Sequence, residues 1–223
     1  MPLTIDVVSD VVCPWCFIGK RHLETAIRMY AAAGGMAPEV RWQPFQLNPD
    51  IPAGGLARKA YLEDKFGGPE RAGQIYARVR QAGQLASIDF DFERIEVQPN
   101  TLDAHRLIHA AASLGRQDAM VETLFRAYFL EGADLSDHER LVELAARAEF
   151  SEQAARDYLA SDEDVSLISN RDTQARQMGI SGVPFFIFDG KLAVSGAHPA
   201  ETLLSAMQRA SAQSPADPAH TGH

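Results

Sequence analysis

Cysteine is scarce in this chain: there are two among 223 residues, and both lie in the tetrapeptide Cys13-Pro14-Trp15-Cys16. That excludes a disulfide-stapled secreted scaffold, which takes several spaced pairs. Basic residues are also short, 21 Lys and Arg against 30 Asp and Glu, for a formal net charge of -9 and a pI near 5.2. Without a basic face, neither nucleic acid nor an anionic membrane surface is expected as a partner. No stretch approaches the ~18 uninterrupted apolar residues of a membrane span. The opening Met1-Pro2-Leu3-Thr4-Ile5-Asp6 lacks the cationic region of a secretory signal, and no internal repeat is evident. The expected location is the cytosol, where a disulfide is more often transient and catalytic than structural. The rest of the composition, 46% hydrophobic and 23% charged, describes a globular chain with room for a main core and a second lobe.

The two cysteines sit where one periodicity gives way to another. Leu3 to Val8 alternate and are rich in β-branched residues, whereas Phe17 to Ala33 place Leu23, Ala26, Ile27 and Tyr30 on one helical face. The cysteines therefore fall at a helix N-terminus, with Pro14 at the first helical position, where its missing N–H costs nothing. Unpaired N–H groups and the positive end of the dipole stabilise a thiolate there. One turn separates the sulfurs, so Cys16 can attack a mixed disulfide held on Cys13 and release the substrate as a thiol. Two other readings stay open: a structural thiol pair, and a zinc site in which His105 and His109, at i and i+4 on a helix, complete a Cys2His2 set. The long separation of those histidines from the cysteines counts against zinc.

After Gly34-Gly35, Val40 to Leu47 alternates as a half-buried strand does, and Asn48 to Gly55 breaks the pattern. From there to Asp164 the period is helical, with helices starting near Leu56, Pro69, Thr101, Gln117, Asp137 and Glu152. Ser136 to Glu139 reads as a capping box and Ser151 as an N-cap. The alternating Ser87 to Phe92 has no hairpin partner and reads as linker. A helix from Val165 to Met178 leads to Gly179-Ile180-Ser181-Gly182 and an apolar run, Val183-Pro184-Phe185-Phe186-Ile187-Phe188. Asp189-Gly190 is a hairpin turn answered by Leu192-Ala193-Val194, and Pro199 to Ala210 closes the fold as a helix. The order is β-α-β, a block of helices, then α-β-β-α. Residues 213–223 are expected to form a mobile tail.

That order, with Cys-Pro-Trp-Cys opening the first helix and Gly182-Val183-Pro184 opening a late strand, resembles the thioredoxin superfamily with a helical insertion, the DsbA-like branch. Ser9-Asp10-Val11-Val12-Cys13-Pro14-Trp15-Cys16, Phe45-Gln46-Leu47-Asn48-Pro49, Asn100 to Leu107 and Gly179 to Phe186 are similar to the FrnE-like group of dithiol-disulfide oxidoreductases, related to the 2-hydroxychromene-2-carboxylate isomerases. The resemblance runs from residue 9 to about 197. It implies an α/β thioredoxin fold, a central mixed sheet flanked by helices, over residues 1–50 and 165–212, with an inserted all-helical domain over 51–164. It also implies that Cys13 is the exposed nucleophile, Cys16 the resolving thiol and Val183-Pro184 a cis pair presenting backbone to an extended substrate. Pro14, Trp15 and Val183 are the expected substrate contacts, with Trp15 and Phe17 as apolar surface beside the motif. His105 matches a family position facing the cleft, and Asp10 is a candidate proton relay or a turn-closing cap.

The function expected is thiol-disulfide exchange with protein, peptide or small-thiol disulfides. No metal or bound cofactor is called for, and glutathione is a candidate co-substrate. In a reducing cytosol a strongly oxidising pair would sit as the dithiol, which suits reducing or isomerising disulfides. The alternatives are a glutathione-dependent isomerase, whose relatives carry serine in place of Cys13, and a chaperone-like peptide-binding module.

Overall fold

The computed structural model describes residues 2–212; the tail expected over 213–223 lies outside them. The main sheet has four strands in the order β2-β1-β5-β6, formed by β1 (Thr4–Ser9), β2 (Glu39–Pro44), β5 (Phe185–Phe188) and β6 (Leu192–Ser195). β1 runs parallel to β2, with Ile5 opposite Val40, and antiparallel to β5, with Ile5 opposite Phe188; β5 and β6 are antiparallel. The sheet is therefore mixed, as a thioredoxin fold requires. β1 is central and covered on both faces. Ile5 and Val7 join the main core, and Val8 joins a smaller cluster with Phe45, Ala175 and Ile180.

α1 (Pro14–Ala32) connects β1 to β2 and packs against α9 (Ala200–Ala212). The hairpin turn between β5 and β6 has Asp189 at φ 50° and Gly190 at φ 65°, the paired positive angles of a type I′ turn, which Asp and Gly tolerate best. Between the two halves lie α2 (Arg58–Phe66), α3 (Pro69–Leu85), α4 (Leu102–Ala112), α5 (Gln117–Glu131), α6 (His138–Arg147) and α7 (Glu152–Leu159); α8 (Val165–Gln177) then leads into β5.

The insertion departs from an all-helical one at two short strands, β3 (Leu56–Ala57) and β4 (Val97–Gln98), which pair antiparallel at the base of α2. The Ser87 to Phe92 segment forms no strand, yet it is no slack linker, because Ile88 and Phe90 are buried. The cap of α6 is Asp137, whose carboxylate accepts the Glu139 and Arg140 N–H groups, while Ser136 Oγ donates to Asp134 at 2.6 Å. The cap therefore lies one residue later than the Ser136 reading. Ser151 caps α7 as expected.

The sheet half and the insertion share one core. Phe17, expected as surface beside the motif, is fully buried and stacks on Phe125 of α5 at a centroid distance of 5.0 Å, with Phe90 and Phe129 alongside. Its position one residue past Cys16 turns it inward, toward the helices rather than the cleft. Lys20 on α1 is buried too, and its ammonium meets Asp118 and Glu122, each at 3.2 Å, and Glu24. Arg21 adds contacts to Glu24 and Glu122, closing a charge network between α1 and α5.

Candidate active site

The turn after β1 sets the cysteines. The Cys13 N–H donates to the Asp10 carbonyl at 3.0 Å, Cys13 itself caps α1, and Pro14 takes the first helical position. The Cys16 N–H then donates to the Cys13 carbonyl at 3.0 Å, so the sulfurs stand one tight turn apart. From the other half of the fold, the Val183–Pro184 peptide bond is cis. The Cys13 thiol donates to the Val183 carbonyl oxygen at 3.5 Å.

Cys13 is not the exposed thiol expected. It is 5% accessible, because it lines a cleft of about 300 Å³ whose other walls come from Trp15, Val183 and the inserted helices α2 and α3, including Tyr76 and Val79. Approach to it is through that cleft. Cys16 is deeper still, and burial pushes its thiol well above the ordinary range, with Cys13 adding to the shift by hydrogen bond and charge. The Ser9 side chain and the Asp10 backbone pull less strongly the other way. Pro14, Trp15 and Val183 all line the cleft, and Trp15 is 41% exposed at its rim.

His105 lies elsewhere. It is buried on α4 beside a water-sized pocket lined also by Ser9 and Trp42, and it is absent from the residues lining the Cys13 cleft. The inward face of α4 turns its Nε2 to 3.5 Å from Asp10 Oδ1, so its expected role as a substrate contact gives way to a contact with the end of β1. Neither of those two buried atoms has a hydrogen bond in the structure, whereas Asp10 Oδ2 accepts the Leu47 N–H at 2.7 Å. Asp10 thus ties the loop after β2 to the cysteine turn. His109 faces Arg171 and Asp164. Among the described residues no set of three or more His, Cys, Asp or Glu side chains is placed to hold a metal ion, so the Cys2His2 zinc ligands are not brought together.

The insertion supplies site residues that sequence reasoning missed. Arg58, first residue of α2, is 3% exposed; its Nη1 donates to Gln98 Oε1 at 2.9 Å and Tyr128 Oη at 2.6 Å, and its Nη2 to Tyr76 Oη at 2.9 Å. Tyr76 and Gln98 line the Cys13 cleft, as does Lys65 of α2. Burial raises the Tyr76 phenol, Arg58 opposes that, and negative charge on Cys13 adds to it. The signal for Arg58 and Tyr76 was weak, because an Arg at a helix start and a Tyr on an amphipathic helix are ordinary surface residues until the helix is docked.

Comparison with known proteins agrees with the fold. The structure is similar to that of a probable DsbA oxidoreductase from Streptomyces coelicolor, with TM-score 0.87 and 28% identity over 98% of this chain and 94% of that one. A 2-hydroxychromene-2-carboxylate isomerase shares the fold, with TM-score 0.71 and 16% identity over 94% of this chain and 97% of that one. The uncharacterized protein YwbO of Bacillus subtilis (strain 168) is 28% identical over 145 residues, a match spanning 65% of this chain and 66% of YwbO. No helix among the described residues is long and apolar enough to cross a membrane. The family model of the DSBA-like thioredoxin domain matches residues 4–208, from the first strand to the last helix, and the chain belongs to that family.

Proposed function

We propose that the protein is a dithiol-disulfide oxidoreductase in which Cys13 attacks a disulfide and Cys16 resolves it. The observation that carries this reading is the inequality of the two thiols. Cys13 lines the cleft at a helix N-terminus, and Cys16 lies behind it as a thiol that burial holds protonated. In the first half-reaction the Cys13 thiolate bonds to one substrate sulfur and the other leaves as a thiolate. In the second, Cys16 loses its proton and bonds to Cys13, the remaining substrate sulfur leaves, and the protein is oxidised as the substrate is reduced. The Val183 backbone beside Cys13 suits an extended peptide, and a cleft of about 300 Å³ also admits a small thiol such as glutathione. Disulfide-bearing proteins, peptides or glutathione are the proposed partners, in a reducing compartment such as the cytosol.

Insulin reduction with a thiol donor tests it. Activity should vanish in Cys13→Ser, and Cys16→Ala should accumulate mixed disulfides on Cys13 that appear on non-reducing gels. Full activity in Cys13→Ser would overturn the reading.

A further inference from the structure

Arg58 is a buried cation with no anion. Among the described residues its guanidinium forms no ion pair with a carboxylate, and its three hydrogen bonds go to neutral oxygens of Gln98, Tyr128 and Tyr76. The rings of Tyr76 and Tyr128 lie 5.4 and 5.5 Å from it and offset part of the desolvation. A full counter-charge is still missing, and an unpaired buried charge is costly enough that chains rarely keep one without a use for it.

The surroundings point the charge into the Cys13 cleft. Two of its partners, Tyr76 and Gln98, line that cleft. The Tyr76 oxygen accepts from Arg58, and its own hydrogen has no acceptor among the described residues, which leaves a polarised O–H donor available there. Among the described residues Lys65, also on the lining, bonds to the neutral oxygens of Tyr61 and Asn48 and to no carboxylate. The described lining contains no Asp or Glu, in a chain with 30 of them and a net charge of -9. The cleft is thus a basic, partly apolar enclosure in an acidic protein, and low-dielectric walls concentrate its field.

From this we infer that Arg58, acting through the Tyr76 hydroxyl, forms an anion-receiving subsite beside Cys13, and that the partner is a thiol or disulfide bearing a carboxylate. The inference deepens the proposed function and takes from it only that Cys13 is the reacting atom. The carboxylate accepts from Tyr76 with the Arg58 charge behind it, and Lys65 attracts it at the mouth. Gln98 and Tyr128 hold the guanidinium in place.

The test uses three maleimides on one skeleton: anionic 3-maleimidopropionate, neutral N-ethylmaleimide and cationic N-(2-aminoethyl)maleimide. Each is added to the reduced full-length protein at low ionic strength, and Cys13 modification is followed by peptide mass. The anionic-to-neutral rate ratio should exceed that of a free cysteine peptide in the same buffer, whereas net protein charge alone would push it below. The cation should be slowest. Arg58→Gln and Tyr76→Phe should each lower the anionic-to-neutral ratio by about tenfold, and Arg78→Gln, which removes an exposed charge from the helix that carries Tyr76, should leave it alone. Should Arg58→Gln fail to fold, Tyr76→Phe decides. A ratio at or below that of the peptide, or one unmoved by Tyr76→Phe, overturns the inference. Maleimide addition needs neither Cys16 nor a disulfide, so failure of the redox assay leaves this result standing, and loss of charge selection leaves the redox reading standing.

Discussion

The Cys13 sulfur lies 3.5 Å from the carbonyl oxygen of Val183, 170 positions away, while its neighbour Cys16 is 1% exposed and has burial as the main influence on its thiol. Limited alkylation at neutral pH should therefore label Cys13 and spare Cys16. The stability of the reduced protein should also depend on pH in a definite direction. The folded Cys16 keeps its proton at a pH where the unfolded chain, with an ordinary value of ~8.5, gives it up. Its contribution is full below ~8.5 and is lost as pH rises through the raised folded value. Thermal melts across this range should show Tm of the reduced protein falling in alkali, with a shallower fall in Cys16→Ala. Equal slopes would mean that Cys16 is not the group responsible.

Gly19 on α1 leaves room for Pro184 and the strand that follows it. A Cβ at this position would stand 2.9 Å from Pro184 Cγ and 3.2 Å from the Phe186 ring. Alanine is the better helix former by about 1 kcal/mol, yet a proline ring cannot swing aside as a flexible side chain would. Gly19→Ala should destabilise the protein and slow Cys13 chemistry together, as read by urea midpoint and alkylation rate. A gain in stability would show that the helix propensity wins.

Lys20 holds Glu24, Asp118 and Glu122 around one buried ammonium. Lys20→Met keeps most of the volume but leaves acids facing one another, with Arg21 and, at 4.0 Å from Glu122, Arg126 to balance them. Because those acids are partly exposed, the expected loss is about 1–2 kcal/mol in urea denaturation at neutral pH. It should shrink in acid, once the carboxylates are protonated.

Asp137→Ala should cost about 1 kcal/mol through the loss of two accepted N–H bonds at the start of α6. Ser136→Ala breaks only its bond to Asp134 and should cost less. Paired urea midpoints decide between the two positions as cap.

Local chemistry explains what was readable beforehand. The strand-to-helix switch at Cys13-Pro14-Trp15-Cys16, the Asp189-Gly190 turn and the starts of α3, α5 and α7 rest on residues adjacent in sequence, where periodicity and capping act. β3 and β4 are two residues each, too short to show a period, and exist because Leu56 and Gln98 meet across the insertion. Ser136 and Asp137 are both competent caps, and only backbone geometry chooses between them. The burial of Cys13 and Phe17, the turn of His105 toward Asp10 and the convergence of Arg58 and Tyr76 on the cleft depend on how the insertion docks. No stretch of chain carries that information alone.

β1 is made long before its partner β5. Thr4, at the start of β1, donates its N–H to the Asp189 carboxylate 185 residues later, and the neighbouring β5 brings in Val183 and Pro184 beside Cys13. On a ribosome adding ~5–20 residues per second, that interval lasts roughly 10–40 s. Throughout it the newborn polypeptide carries both sulfurs without the wall that later restricts access to them. Protection of the thiols in this window falls to the surrounding medium, and a nascent chain stalled before codon 183 would present them to any passing oxidant.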